Sequence, residues 1–303
     1  MNAKQGIFLK VLATLAVTIM FASIRGLQGR IPTGEVVFFR SIFALVPLVI
    51  WYGMRGQLAA MTHTASVWRH FGRGLSGTGA MFFNYLALIW LPLAQLTAFT
   101  YAVPIFTVIF AALLLGEVVR IYRWSAVAVG FCGVLVMLIP ALSNGAPDAS
   151  DTLLAGALAA LVAAACSALS IIQIRRMTAT EDPAAIVFWF TVLTTVLGLS
   201  SAVFGWKLPD TQELILLLSC GLFGGLAQVL MVLALRASHA SLLAPFEYVG
   251  MLWAVLIGYV AFAAIPDIYT LAGAAIVALA GLFTIWRENR LRGVAPRPDA
   301  KLT

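Results

Sequence analysis

Ten apolar stretches, each close to the length that crosses a bilayer as a helix, constrain this chain more than any other feature. They fall at 7–26, 34–54, 69–90, 93–115, 122–140, 153–175, 184–206, 212–235, 240–264 and 268–286. About 20 apolar residues span the roughly 30 Å hydrocarbon core, where a helix satisfies its own backbone hydrogen bonds. The breaks between them carry turn chemistry: Gly29 to Pro32, Ser143 to Asp148, Glu181-Asp182-Pro183 and Pro209-Asp210. The third and fourth stretches are joined only by Leu91-Pro92. With 62% hydrophobic and 10% charged residues, the chain lies outside the range of water-soluble domains and of disordered ones. The expected fold class is an all-α integral membrane protein of ten transmembrane helices.

The sparse charges orient it. With the N-terminus placed inside, fifteen of the nineteen Lys and Arg residues fall on cytoplasmic segments. Arg25, Arg30 and Lys207 fall outside, and Arg40 lies within the second span. This bias places both termini in the cytoplasm. The net charge of +7 is then an orientation signal, with no nucleic-acid partner expected. The basic N-terminus reads as the start of the first helix, since no small-residue cleavage site follows. The stretch after Trp286 reads as a largely disordered cytoplasmic tail. Cys132, Cys166 and Cys220 stand singly in apolar runs and read as packing residues.

The two halves repeat. A shift of 147 residues gives ten identities over the 28 positions from 74 to 101, among them Gly74 with Gly221, Gly77 with Gly224, Phe99 with Phe246 and Tyr101 with Tyr248. For the first two spans a shift of 150 applies, pairing Ile24-Arg25 with Ile174-Arg175 and Val37-Phe38 with Val187-Phe188. Five spans per copy is an odd number, so the second copy enters the membrane inverted. Inverted repeats are the architecture of secondary transporters, whose related halves exchange inward-open and outward-open shapes around a central site. The expected units are 1–143, 144–288 and a tail, 289–303.

Pro32 to Arg40, Leu91-Pro92-Leu93-Ala94, Pro104 and Leu113-Leu114-Leu115-Gly116-Glu117 in the first half, with Ala244 to Tyr248, Gly258-Tyr259, Phe262 to Asp267 and Gly273 in the second, resemble the EamA-type branch of the drug/metabolite transporter superfamily. Ala263-Ala264 stands where the family commonly has Gly-Glu. The resemblance implies two inverted five-helix repeats in a bacterial inner membrane. It also implies a cavity lined mainly by helices 3, 4, 8 and 9, and a cargo such as riboflavin, an amino acid or S-adenosylmethionine.

Charge inside hydrocarbon is costly and needs a reason. Glu247, flanked by Phe246 and Tyr248, is the sharpest candidate: a proton-loading carboxylate, or a structural partner for an arginine such as Arg40. Arg40 and Arg25 lie close enough to an interface to snorkel, though either can attract an anion. Glu117 and Asp267 read as solvated helix caps. Tyr101 and Tyr248, at matching repeat positions, can flank a planar substrate. Asn84 and Tyr85 share a helix face with Met81 and Leu88. Phe99, Trp189 and Gln228 complete the candidate substrate-binding set. Aromatics and amides with almost no buried charge suit a neutral, flat molecule, riboflavin first, with export or exchange of amino acids or S-adenosylmethionine as the alternative. No ATP site is present, so coupling to a proton or an exchange substrate is expected, with no cofactor or metal.

Two enzyme-like motifs are set aside. Gly72-Arg73-Gly74-Leu75-Ser76-Gly77 matches G-x-G-x-x-G but follows no strand; close helix packing explains these glycines, as it does Gly221, Gly224 and Gly225. Gly74-Leu75-Ser76-Gly77 with His239 resembles an intramembrane protease only remotely, since His239 falls in a loop. His63 and His70 are likewise expected on loops, and the chain is expected not to be an enzyme.

Overall fold

The structure is a computed structural model that describes residues 3–292 except 57, 65, 117–120, 144–146, 178–179, 238–245 and 247–248. All regular elements among the described residues are helical. In chain order they are α1 (Ala3–Gly26), α2 (Thr33–Met54), a short α3 (Leu58–Thr62), α4 (Val67–Trp90), α5 (Leu93–Thr100), α6 (Val103–Leu115), α7 (Ile121–Ser143), α8 (Pro147–Met177), α9 (Pro183–Ser200), α10 (Thr211–Ala237), α11 (Val249–Phe262) and α12 (Ile268–Arg292). Among the described residues six segments are long and apolar enough to cross a membrane, and the shorter apolar helices Trp124–Met137, Val249–Phe262 and Ile268–Phe283 accompany them.

Two boundaries depart from expectation. The stretch 93–115 is not one helix: it breaks at Tyr101-Ala102, where the Tyr101 and Ala102 amides donate to Ala98 and Phe99 in tight turns. Pro104, without an N–H, follows in the first turn of α6, the position where proline starts a helix at no hydrogen-bond cost. At the other end α12 runs through to Arg292, so the segment just after Trp286 is ordered. Its Arg, Glu and Leu residues are good helix formers that hydropathy does not register; 293–303 lie outside the described residues.

The helices pair across the two halves, and exchanging the halves maps one set of pairs onto the other. Contacts of α1 with α10 are matched by α8 with α4; α2 with α10 by α9 with α4; and α1 with α11 by α8 with α6. The α2–α9 and α7–α12 pairs map onto themselves. The repeat register also holds at single residues. A Cβ on Gly74 would run into the Leu193 side chain, and one on Gly221 would run into Phe43. Gly74 and Gly221 are equivalent at the 147-residue shift, Phe43 and Leu193 at the 150-residue shift. The glycines are therefore small so that helices can approach.

Equivalent positions end α6 and α11. Gly116 is left-handed at φ +62°, and Ala263, 147 residues on, is left-handed at φ +51°. The Ala264 amide donates to Gly258 O at 3.1 Å, closing a Schellman-type cap. Alanine is strained there by about 1 kcal/mol relative to glycine. Ala263→Gly is thus expected to raise the thermal midpoint of the detergent-solubilised protein by a few degrees.

Candidate functional site

One face of α4 carries Arg73, Gly77, Met81 and Tyr85, spaced four residues apart. Arg40 reaches this face from α2. It is 6% exposed, and its Nη1 points at Met81 Sδ at 3.6 Å. Its Nε is buried with no hydrogen-bond partner. On the α10 side, Gly224 makes room: a Cβ there would lie 3.0 Å from both Arg40 Nε and Met20 Sδ. Arg73 sits one turn below Gly77, whose absent side chain leaves space for Arg73 Nη1 and the Phe190 ring. The Arg73 guanidinium stacks 3.9 Å from the centroid of that ring, and its Nε and Nη1 are buried without partners. Tyr85, buried edge-on to Phe21, presents an unpartnered hydroxyl, and the charge of Arg40 acts on it.

Arg40 therefore does not snorkel. Seven residues into α2, it lies about 10 Å from the helix end and turns inward. The contrast with Arg25 is plain, since Arg25 Nη1 donates to Leu88 O and to Ile89 O, the latter at 2.8 Å. There it caps the carbonyls at the end of α4. The interior is thus more charged than the sequence suggested.

Asn84 is buried, its Nδ2 bonded to Ala80 O at 2.9 Å and its Oδ1 unpartnered. Gln228, half-buried, lies one turn beyond Gly224 on α10. Phe99 and Tyr101 are buried in the main core, at the α5–α6 break. Trp189 is not among this group: its Nε1 donates to Thr62 O at 3.3 Å at the end of the bundle, while its neighbour Phe190 faces Arg73. Glu247, Tyr248, Glu117 and His239 lie outside the described residues.

Above Tyr85, a crevice of only about 10 Å³ runs between Leu27, Ile31, Val36, Leu88 and Ile89. Ile89 also borders a wider cavity of about 550 Å³, lined by Arg25, Gln28, Pro92, Leu93 and residues 260–264. The narrow crevice is bordered by Tyr85 and shares Ile89 with the wider cavity.

Carboxylates clasp the two halves together at both ends of α2, about 30 Å apart. At one end Glu181, 7% exposed, accepts the Thr64 hydroxyl at 3.0 Å and the Ser66 amide at 3.1 Å. His70 Nε2 stands 3.5 Å from it, so His70 is a buried helix residue rather than a loop one. Arg69 adds a bond to Thr180 at 3.1 Å. At the other end Glu35, 1% exposed, accepts the Lys207 amide at 3.1 Å. Beside it Asp210 and Glu213 form a reciprocal capping box at the start of α10. Asp267 caps α12 through the Thr270 amide and hydroxyl and also accepts Gln95 Nε2 at 2.9 Å. Burial works against its charge, but these hydrogen bonds outweigh it and hold the carboxyl below its ordinary value. Removing Glu181 strands two donors, at about 1–3 kcal/mol for each one left buried. Glu181→Ala should lower the midpoint by several degrees, and Glu181→Gln by less, in thermal unfolding of the purified protein.

The pattern of the EamA-like transporter family matches the chain twice, over residues 4–139 and 154–286. The chain belongs to that family. EamA-like relatives include a riboflavin transporter of Rhizobium johnstonii, 30% identical over 95% of this chain and 93% of that protein. An S-adenosylmethionine uptake transporter of Rickettsia bellii is 30% identical over 87% of each chain. A pseudopaline exporter CntI of Pseudomonas aeruginosa is 28% identical over 91% of this chain and 94% of the exporter. A solved crystal structure superposes with a TM-score of 0.65 at 20% identity, covering 96% of this chain and 99% of its own, which speaks to the fold alone. This EamA-like protein is accordingly a multi-pass inner-membrane transporter of the drug/metabolite superfamily.

Proposed function

We propose that this transporter is a secondary, alternating-access carrier for a small organic metabolite with a planar ring, riboflavin first. Its ten membrane helices form two inverted five-helix repeats, 1–143 and 144–288, with both termini and the tail 289–303 in the cytoplasm. The observation that supports this reading most is the cross-repeat pairing, in which exchanging the halves exchanges α1–α10 for α8–α4. A structure related to itself in this way has two equivalent ways to tilt one bundle against the other. The positive-inside bias puts the Glu181 clasp on the cytoplasmic side and the Glu35 clasp outside, so each half-cycle opens one of them. Asn84, Tyr85, Phe99, Tyr101 and Gln228 form the substrate-binding set with Arg40 beside them, and Tyr248 and Glu247 are assigned from sequence as a further substrate-binding residue and the coupling group.

Export or exchange of an amino acid is the second reading, favoured by the two buried guanidinium groups, which match a carboxylate. The same groups oppose a cationic cargo such as S-adenosylmethionine. Proteoliposomes preloaded with riboflavin provide the test. Labelled riboflavin should enter saturably and faster than into empty vesicles, as counterflow demands. Flux that is non-saturating and indifferent to internal riboflavin would identify a pore instead.

A further inference from the structure

We infer that Arg40, Arg73 and the Tyr85 hydroxyl form a binding site for an anionic group, carboxylate or phosphate, carried by the transported metabolite. The inference rests on the carrier reading and narrows its substrate class. Three observations converge on groups from two helices, Arg40 from α2 and Arg73 and Tyr85 from α4. Arg40 Nε, Arg73 Nε and Nη1, and the Tyr85 hydroxyl are all buried with no hydrogen-bond partner. Arg40 and Tyr85 are each more than nine-tenths buried. No carboxylate pairs with either arginine among the described residues.

The groups lie together. Arg73 Nη1 packs at Gly77, Arg40 Nη1 at Met81 one turn further along α4, and Tyr85 one turn beyond that. The charge of Arg40 acts on both Arg73 and Tyr85. Every unpartnered atom named is a donor, or in tyrosine's case can donate. Two like charges brought together in a low-dielectric interior are unfavourable unless an anion completes them. Guanidinium forks match carboxylate and phosphate oxygens in pairs.

Packing alone does not explain the pair. At the repeat shifts Arg40 corresponds to Phe190 and Arg73 to Cys220, so an uncharged residue already serves at each equivalent position. One arginine comes from each of two equivalent interfaces, α2–α10 and α9–α4. Arg73 is covered on one face by Phe190, whereas Arg40 Nη1 lies against the Met81 thioether. Arg40 and Arg73 donate to the anion together, Arg40 from the deeper position.

Thermal unfolding of the purified full-length protein in detergent tests this with phenylpyruvate, riboflavin 5′-phosphate and neutral riboflavin as probes. Without probe, Arg40→Met and Arg73→Met should hold or raise the midpoint, because each removes an unpaired buried charge. A saturating anionic probe should raise the wild-type midpoint by about 3 °C or more. That rise should vanish in both variants and persist in Arg30→Gln, an exposed control. Phenylpyruvate acting alone identifies a carboxylate, and riboflavin 5′-phosphate acting alone a phosphate; either supports the site. The site is overturned if both methionine variants unfold well below wild type without probe, which marks the arginines as structural. It is equally overturned if no anionic probe stabilises the wild type. Counterflow of riboflavin 5′-phosphate or phenylpyruvate that survives Arg40→Met would end the anion site and leave the carrier standing. Anion-dependent stabilisation without counterflow of any probe would end the carrier reading instead.

Discussion

Gly224→Leu is expected to reduce transport by on the order of 100-fold while the protein still reaches the membrane. Misplacing a positioned group by about an ångström has that scale of effect. A Cβ at this position meets Arg40 Nε and Met20 Sδ at 3.0 Å, and Arg40 Nη2 at 3.4 Å. The branched carbons beyond it take the space in which the guanidinium lies. Both atoms that must give way end flexible side chains, so the fold tolerates the change better than the site does. Gly77→Leu should behave alike, displacing Arg73 from its seat on Phe190. Gly250, where an added Cβ would meet nothing within 4 Å, supplies the contrast: Gly250→Ala should transport at the wild-type rate. The measurement is counterflow in proteoliposomes normalised to inserted protein.

The second large effect falls on folding. Where α7 crosses α12, a Cβ on Gly273 would lie 2.5 Å from Gly133 O, and one on Gly133 would lie 2.8 Å from Gly273 O. These obstacles are backbone, on both sides, and cannot rotate away. Overpacking of this kind costs about 1–3 kcal/mol for a single added carbon. Gly273→Ala should therefore lower the midpoint by roughly 3–10 °C, and Gly273→Leu should leave no monodisperse protein on size exclusion. Whatever Gly273→Ala protein does fold should transport normally, since the α7–α12 contact lies apart from Arg40 and Arg73.

The all-helical membrane character was legible because long apolar helices need only composition and length. The direction in which a side chain turns could not be read from the chain. Arg40 and Arg25 both lie a few residues from a span end, yet one turns into the bundle and the other caps α4. Arg73 counted as one more cytoplasmic charge for the same reason. The match of Arg73 to Cys220 and of Arg40 to Phe190 was present in the shifts, and its meaning appears only when α2 meets α10 and α9 meets α4. Trp189 and Phe190 differ by one residue, about 100° around a helix, which separates the clasp from the arginine. Glu181 joins Thr64 and Ser66 across more than a hundred residues, a partnership that no local pattern encodes. The Tyr101-Ala102 break escaped because hydropathy is blind to hydrogen-bond connectivity. Glu247 and Tyr248 keep their standing as proposals from sequence.

The arginines also bear on vectoriality. A machine made of two identical inverted halves would occupy its inward and outward orientations equally, and an empty carrier would favour neither side. Here the two equivalent interfaces hold their cations unequally, Arg73 over the Phe190 ring and Arg40 deeper, beside the Met81 thioether. In the alternating-access cycle proposed above, the two orientations are consequently unequal in energy, and the unloaded carrier has a preferred resting face. In that cycle, vectorial preference originates in a few substitutions that break the symmetry of the halves.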